Sequence, residues 1–332
     1  MHLAPDPGRG ARACPSVKRG DGHPYDALTP DVVLAALDSV GFATDGRLLA
    51  LNSFENRVYQ LGLEDGTFVV AKFYRPGRWH EAAIREEHAF TAELAAAELP
   101  VIAPLAVDGE TLFAHAAFHF AVFPRRGGRA PELEGVDTLE WLGRTLGRVH
   151  AVGAQRRFEH RARLDVASLV REPARHVLAC ALLPPGTRSR YEQVVMDAAH
   201  WLDDAWDAAD PRMIRLHGDC HPGNLLWTAQ GPLLLDLDDA RSGPAVQDLW
   251  MLFGDGPRQR DALLAGYAQF RELDPGELSL VEPLRIMRQI HHAGWIAQRW
   301  DDPAFPRAFP YAAESRWWEE HVGDIHAALE AR

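Results

Sequence analysis

Apolar positions along this chain follow two different periods, and the change between them falls at residues 124–131. The first element reads as a helix. Thr29 offers an N-cap, Pro30 suits the first turn, Val33, Leu37 and Val40 mark one face, and Gly41 ends it. Strand-like stretches follow at 47–51, 57–63 and 67–73, the last two joined by the hairpin pair Asp65-Gly66. Helical spacing returns over 81–98, where Ala83, Glu87, Phe90, Leu94 and Ala97 share one face. Pro100 and Pro104 interrupt the chain before two further strands, 107–112 with a turn at Asp108-Gly109, and 118–123.

Beyond the Gly-rich connection 124–131 the pattern becomes mainly helical. Asp137 and Glu140 form a capping-box pattern, with Leu139, Leu142, Leu146 and Val149 as the buried stripe. Helical periodicity recurs over 188–208, 258–270, 278–299 and 314–330. Residues 215–242 break it with a loop and two short strands, 225–227 and 233–237, turning near Gln230-Gly231. The pattern predicts an α+β chain of two lobes: a small sheet-plus-helix lobe over 23–123, a linker over 124–131, and a larger, mainly helical lobe over 132–332. Residues 1–22, rich in Gly, Pro and Arg and without an apolar core, read as a disordered tail rather than a secretion signal.

Composition narrows the function classes. The formal net charge of −12 over 332 residues gives no general attraction to nucleic acid or anionic lipid. Nothing resembles a membrane span. Cys14, Cys180 and Cys220 are widely separated, which fits a reducing, cytoplasmic setting rather than a disulfide framework. No apolar heptad or patch demands an oligomer, so a monomer is expected.

Three constellations carry chemistry. The loop His217-Gly218-Asp219-Cys220-His221-Pro222-Gly223-Asn224 sets an acid and an amide close together. Asp219 there can receive a hydroxyl proton and Asn224 can offer an oxygen to Mg²⁺, although a polar loop without chemistry fits the same residues. Asp236-Leu237-Asp238-Asp239 follows an apolar strand, where Asp236 can complete a Mg²⁺ site or merely form an acidic turn. Lys72, inside the apolar run 68–73, is costly to bury unless paired, and Glu87 on the next helix is its expected partner. Such a lysine can meet nucleotide phosphates; the alternative is a lysine snorkelling from an edge strand. His217, Cys220 and His221 are too crowded for zinc and read as loop architecture.

Taken in order, these residues resemble the aminoglycoside-phosphotransferase and choline-kinase superfamily, a branch of the protein-kinase-like fold. Within it the chain is similar to the stress response kinase A family of bacterial serine/threonine kinases. The resemblance is carried by residues 51–59, by Ala71-Lys72-Phe73-Tyr74-Arg75-Pro76-Gly77-Arg78-Trp79, by 217–224, by 236–241, and by Gly243-Pro244 with Gln247-Asp248-Leu249-Trp250. It implies a bilobal fold with ATP as co-substrate, Mg²⁺ as cofactor and a Ser/Thr protein acceptor. By that resemblance Asp219 is the base, Asn224 and Asp236 hold the metal, Lys72 meets the phosphates and Glu87 orients it. Ser53 would cover the phosphates, Phe123 would line the adenine hinge, and Asp248 would brace the catalytic loop. Two departures from ordinary protein kinases stand out: Ser53-Phe54-Glu55-Asn56 replaces a Gly-x-Gly-x-x-Gly loop, and Asp236-Leu237-Asp238 replaces Asp-Phe-Gly. A small-molecule kinase of the aminoglycoside, choline or homoserine type is the first alternative, and a nucleotide-binding module without turnover the second.

Overall fold

The computed structural model describes residues 23–254 and 256–332; the expected disordered tail, 1–22, lies outside them. The chain runs α1 (Pro30–Asp38), β1 (Thr44–Leu51), β2 (Arg57–Leu63), β3 (Phe68–Phe73), α2 (Glu81–Ala96), β4 (Phe113–His115), β5 (Phe118–Pro124) and α3 (Val136–Gly153). It continues through α4 (Glu172–Ala179), α5 (Arg188–Ala209), β6 (Ile214–Leu216), β7 (Leu225–Thr228), β8 (Gly231–Leu234), β9 (Arg241–Gly243) and α6 (Pro257–Ala268). It ends with α7 (Val281–Arg299), α8 (Ala304–Ala308) and α9 (Ser315–Glu330).

These elements fall into two compact units, and the 124–131 connection lies inside the larger one, Pro24–Leu164 with Asp204–Leu284. Here β1 to β5 form one antiparallel sheet in the order β1-β2-β3-β5-β4. Alternation along the strands gives the sheet two different faces. Val69, Ala71 and Phe73 of β3, with Phe118, Phe120 and Val122 of β5, pack with Val33, Ala36 and Leu37 of α1. Thr29 caps α1 as expected, accepting from the Val32 amide at 3.4 Å. The smaller unit, Asp165–Asp203 and Arg285–Arg332 with His23, is built on buried Val170, Val177, Tyr191, Phe305, Trp318 and Ile325. The Trp318 indole there donates to the Ala312 carbonyl at 2.9 Å.

Several local expectations need correction. Asp137 does not cap α3: Gly135 occupies the cap position in an extended conformation and makes no side-chain bond. Asp137 lies instead in the first turn, where a carboxylate complements the helix dipole. Residues 107–112 are not a strand. Val107 and Glu110 bridge a tight turn in which both Asp108 and Gly109 take positive φ, and the strand starts only at Phe113. The strand expected over 233–237 ends at Leu234, which leaves Asp236 on a turn. Helix α4, which follows a π-helical turn at Ala167–Arg171 and carries Pro173 in its first turn, lies outside the helical stretches expected from the sequence.

The two helices α3 and α6 meet closely enough to exclude side chains at their crossing. A Cβ on Gly143 would lie 2.0 Å from the Leu263 carbonyl oxygen, and one on Gly266 would lie 2.0 Å from that of Glu140. Backbone cannot yield as a side chain does, so Gly143→Ala should lower unfolding stability by about 1–3 kcal/mol. Equilibrium urea denaturation of the variant measures this; an unchanged midpoint would show that the helices can separate freely.

Candidate active site

The sheet face opposite α1 gathers the first candidate residues. Lys72 pairs across the sheet with Ala121, and Val70 with Phe123, so Lys72 and Phe123 share this face. Phe123 is half-buried and meets the His88 ring edge-on, with centroids 6.4 Å apart. Burying the lysine demands compensation, and three carboxylates supply it. The Lys72 Nζ lies 3.0 Å from Asp236 Oδ1, 3.1 Å from Asp238 Oδ1 and 3.5 Å from Glu87 Oε1, with the side chain 7% exposed. The expected Glu87 partner is therefore present but is the most distant of the three. Burial alone would depress the lysine pKa; Asp236, Asp238 and Glu87 outweigh it and hold the ammonium well above its usual value.

Glu87 is correspondingly loose. Its Oε2 makes no hydrogen bond and stands 3.9 Å from Arg161 Nη1, which makes none either. Burial pushes the Glu87 carboxyl up to about 7, against the opposing pull of Lys72. Asp238 behaves differently. Although burial works against its charge, Arg78 and then Lys72 hold its carboxyl below the ordinary value.

The loop that bears Asp219 is fixed from beneath by one buried carboxylate. Asp248, on the 3₁₀ turn Ala245–Asp248, accepts the His217 amide at 2.8 Å and the Gly218 amide at 2.9 Å. His150 Nε2 on α3 reaches the same carboxylate at 3.1 Å, and His150 Nδ1 meets the Tyr267 hydroxyl at 3.0 Å. His217 Nε2 lies 2.7 Å from the Leu235 carbonyl, which ties this loop to the chain entering Asp236. Gly218 has φ +87°, and a Cβ there would lie 2.1 Å from the Asp239 carbonyl oxygen, so only glycine lets the two loops touch.

Within the loop, the Asn224 amide nitrogen donates to the Asp219 carbonyl at 2.9 Å, which leaves its amide oxygen as the atom available to a cation. The Leu235 amide donates to the Asn224 carbonyl at 2.9 Å and fixes Asn224 beside the Asp236 turn. Asp236 itself takes a left-handed conformation, φ 51° and ψ 73°, with its side chain 50% exposed. His221 does more than shape the loop. Its Nδ1 accepts the Gly223 amide at 3.0 Å, so a neutral ring carries its proton on Nε2, 3.4 Å from Asp219 Oδ2.

An amide oxygen and one accessible carboxylate suit Mg²⁺, which keeps most of its shell for water and substrate phosphate. Among the described residues there is no group of three or more His, Cys, Asp or Glu side chains that could enclose a metal. The Cys220 thiol is buried, and burial pushes its pKa well up. Ser53 sits in the β1–β2 loop and donates to the Asn56 carbonyl at 3.1 Å. Arginines gather that loop's carbonyls: Arg57 reaches Phe54, and Arg75 reaches Phe54 and Glu55.

Sequence reasoning missed four contributors. Arg78 forms ion pairs with Asp238 and Asp239. Arg161 donates to the backbone carbonyls of Asp238 and Ala240, and its guanidinium lies over the Trp79 ring at 3.9 Å. Glu86, which points away from the apolar stripe of α2, accepts the amides of Glu159, His160 and Arg161 at 2.6, 2.8 and 2.8 Å. Asp238 was visible only as part of an acidic run. None of these pairings has a local signature, because each joins segments distant in sequence.

The raised Glu87 carboxyl gives a pH test. A carboxyl raised from an ordinary 4.5 to about 7 in the fold costs nothing below the lower value and its full penalty above the upper. Glu87→Gln mimics the protonated form, so it should match wild type near pH 4.5 and become progressively more stable than wild type as pH rises to about 7. Urea denaturation across that window checks the sign; a variant whose relative stability falls with rising pH would contradict it.

Residues 47–281 match the model of the phosphotransferase enzyme family. Stress response kinase A of Salmonella choleraesuis (strain SC-B67) is 44% identical over 302 residues, covering 90% of this chain and 92% of the relative. The serine/threonine protein kinase RdoA of Salmonella typhimurium has the same identity and coverage. Among solved structures, the amicoumacin kinase hAmiN in complex with AMP-PNP and Ca²⁺ superposes with a TM-score of 0.68 at 18% identity, over 87% of this chain and 93% of that one. A microcompartment-associated aminopropanol kinase gives 0.67 at 18% identity, over 90% and 95%. With its protein-kinase-like fold, the chain belongs to the stress response kinase A family within the phosphotransferase enzyme family, and is an ATP-dependent phosphotransferase with a hydroxyl acceptor.

Proposed function

We propose that this phosphotransferase is a serine/threonine protein kinase that acts in a stress response, in the cytoplasm and as a monomer. The observation that carries the reading is the joining of three sequence-distant segments at one point: Lys72 on its strand, Glu87 on α2, and the Asp236 turn packed against the Asp219 loop. The protein acceptor rests on the relative named a serine/threonine protein kinase at 44% identity. The 23–123 lobe would carry the nucleotide and the 132–332 lobe the acceptor.

In this reading Asp219 takes the acceptor's hydroxyl proton, and His221 holds its carboxylate in place. Asn224 and Asp236 hold Mg²⁺, which supplies charge neutralisation at the phosphates when bound. Lys72 meets the phosphates, Glu87 keeps it oriented, the Ser53 loop covers them, and Phe123 packs against adenine. Lys72 has a ready exchange available. Asp236 is half-exposed and can turn to the cation, whereas Asp238 is buried and stays with the lysine.

Asp219→Asn keeps the loop's shape and removes the base. Transfer of labelled phosphate from ATP to a protein acceptor should fall roughly 100-fold or more. Nucleotide binding should stay close to wild type. Wild-type turnover in this variant would remove Asp219 from its role, and label found only on a small hydroxylated molecule would remove the protein acceptor. Lys72→Ala should cut kcat/KM for ATP by roughly 100-fold while the fold survives; unchanged kinetics would remove the phosphate contact.

A further inference from the structure

We propose that Arg78 is a positioning residue that holds the phosphate-covering loop and the metal-binding turn in fixed relation, so that the two act as one device around the nucleotide. The inference rests on the roles given above to the Ser53–Asn56 loop and to Asp236.

Arg78 lies in the connection between β3 and α2, and its side chain is 17% exposed. Its guanidinium is shared among three carboxylates from two separate loops. On one side it pairs with Asp238 through Nη1 and with Asp239 through Nη2 at 2.9 Å, both on the turn that follows Asp236. On the other side its Nε lies 3.8 Å from the Glu55 carboxylate, in the β1–β2 loop beside Ser53. Arg75 reinforces that second link, reaching the same Glu55 carboxylate at 3.1 Å and the Glu55 carbonyl at 3.0 Å. A planar guanidinium directs its Nε and its two Nη groups outward to different carboxylates at once, whereas an ammonium is a single compact point charge.

The turn that Arg78 grips needs holding. Asp236 is a non-glycine residue with positive φ, a conformation that the surroundings must impose. Three arginines fix the segment after it. Arg161 binds the Asp238 and Ala240 carbonyls, and Arg78 binds the Asp238 and Asp239 side chains. Arg241 adds a bond to the Asp239 carboxylate at 2.7 Å. Arg78 reaches Glu55 as well as Asp238 and Asp239, so it joins the turn to the loop. Neither Arg78 nor its partners need touch the reacting atoms; the effect passes through the placement of Asp236 and of the loop amides near Ser53.

The test compares Arg78→Gln, which removes charge and fork, with Arg78→Lys, which keeps only the charge. AMP-PNP binding is followed by calorimetry across a Mg²⁺ series, and ATP turnover by steady-state kinetics. Both variants should need severalfold more Mg²⁺ for half-maximal AMP-PNP binding, and both should lose about 10-fold or more in kcat/KM for ATP. Arg78→Lys should recover little, because the bridge and not the charge is lost. Should Arg78→Gln fail to fold, Asp239→Asn removes one arm of the bridge at a partly exposed site and should shift the Mg²⁺ requirement in the same direction. The proposal is overturned if the variants bind Mg²⁺ and AMP-PNP as wild type does and lose only thermal stability, or if Arg78→Lys restores wild-type Mg²⁺ dependence. Asp219→Asn, measured in parallel, separates the two levels. If it keeps full turnover, the catalytic reading fails; if it loses turnover while the Arg78 variants respond normally to Mg²⁺, only the role of Arg78 fails.

Discussion

A buried lysine among carboxylates is the constraint on which this molecule's site depends. A charge on the inner face of a sheet is tolerated only when counter-charges are fixed around it. Lys72 meets that condition with Asp236, Asp238 and Glu87, which come from two other segments of the chain. Folding must therefore bring β3, α2 and the turn after β8 to one point. The ion cluster is a meeting place as well as a chemical site, and the positions of Asp236 and Asp219 follow from it.

The carboxylates are not equivalent, and their differences suit them to different work. Asp238 is buried and held ionised by Arg78 and Lys72, so it is a standing partner. Glu87 is buried but loosely paired, and its carboxyl is pushed up to about 7 by burial. Asp236 is half-exposed on a left-handed turn, the one member of the trio open to a ligand. Beneath them Asp248 and His150 fix the backbone of the Asp219 loop, and Gly218 lets that loop lie against the Asp239 carbonyl. Rigid support and one accessible carboxylate are what in-line phosphoryl transfer asks of a protein, since positioning and electrostatics do most of that work.

Much of this was legible in the sequence, for local reasons. Lys72 stood out because a charge interrupted an apolar strand, and Glu87 because an acid lay on an apolar helical stripe. Asp219, Asn224 and Asp236 stood out through loop chemistry beside short strands. Arg78, Arg161 and Glu86 did not, because their partners lie far away in the chain and a surface arginine or glutamate looks the same without them. Boundaries failed where one residue decided the outcome. Gly135 took the cap that Asp137 was expected to provide, and positive φ at Asp108 and Gly109 turned an expected strand into a tight turn. The 233–237 strand stopped early because Asp236 leaves the extended conformation altogether.

The central claim is that the Lys72–Asp236 ion pair parts when nucleotide and cation bind. A crystal structure of the Asp219→Asn variant with AMP-PNP and Mg²⁺ tests it most directly. The account predicts Lys72 on phosphate oxygens while still beside Asp238, with Asp236 and Asn224 oxygens on the cation. A nucleotide bound away from Lys72, or a cation whose ligands include neither Asp236 nor Asn224, would contradict it.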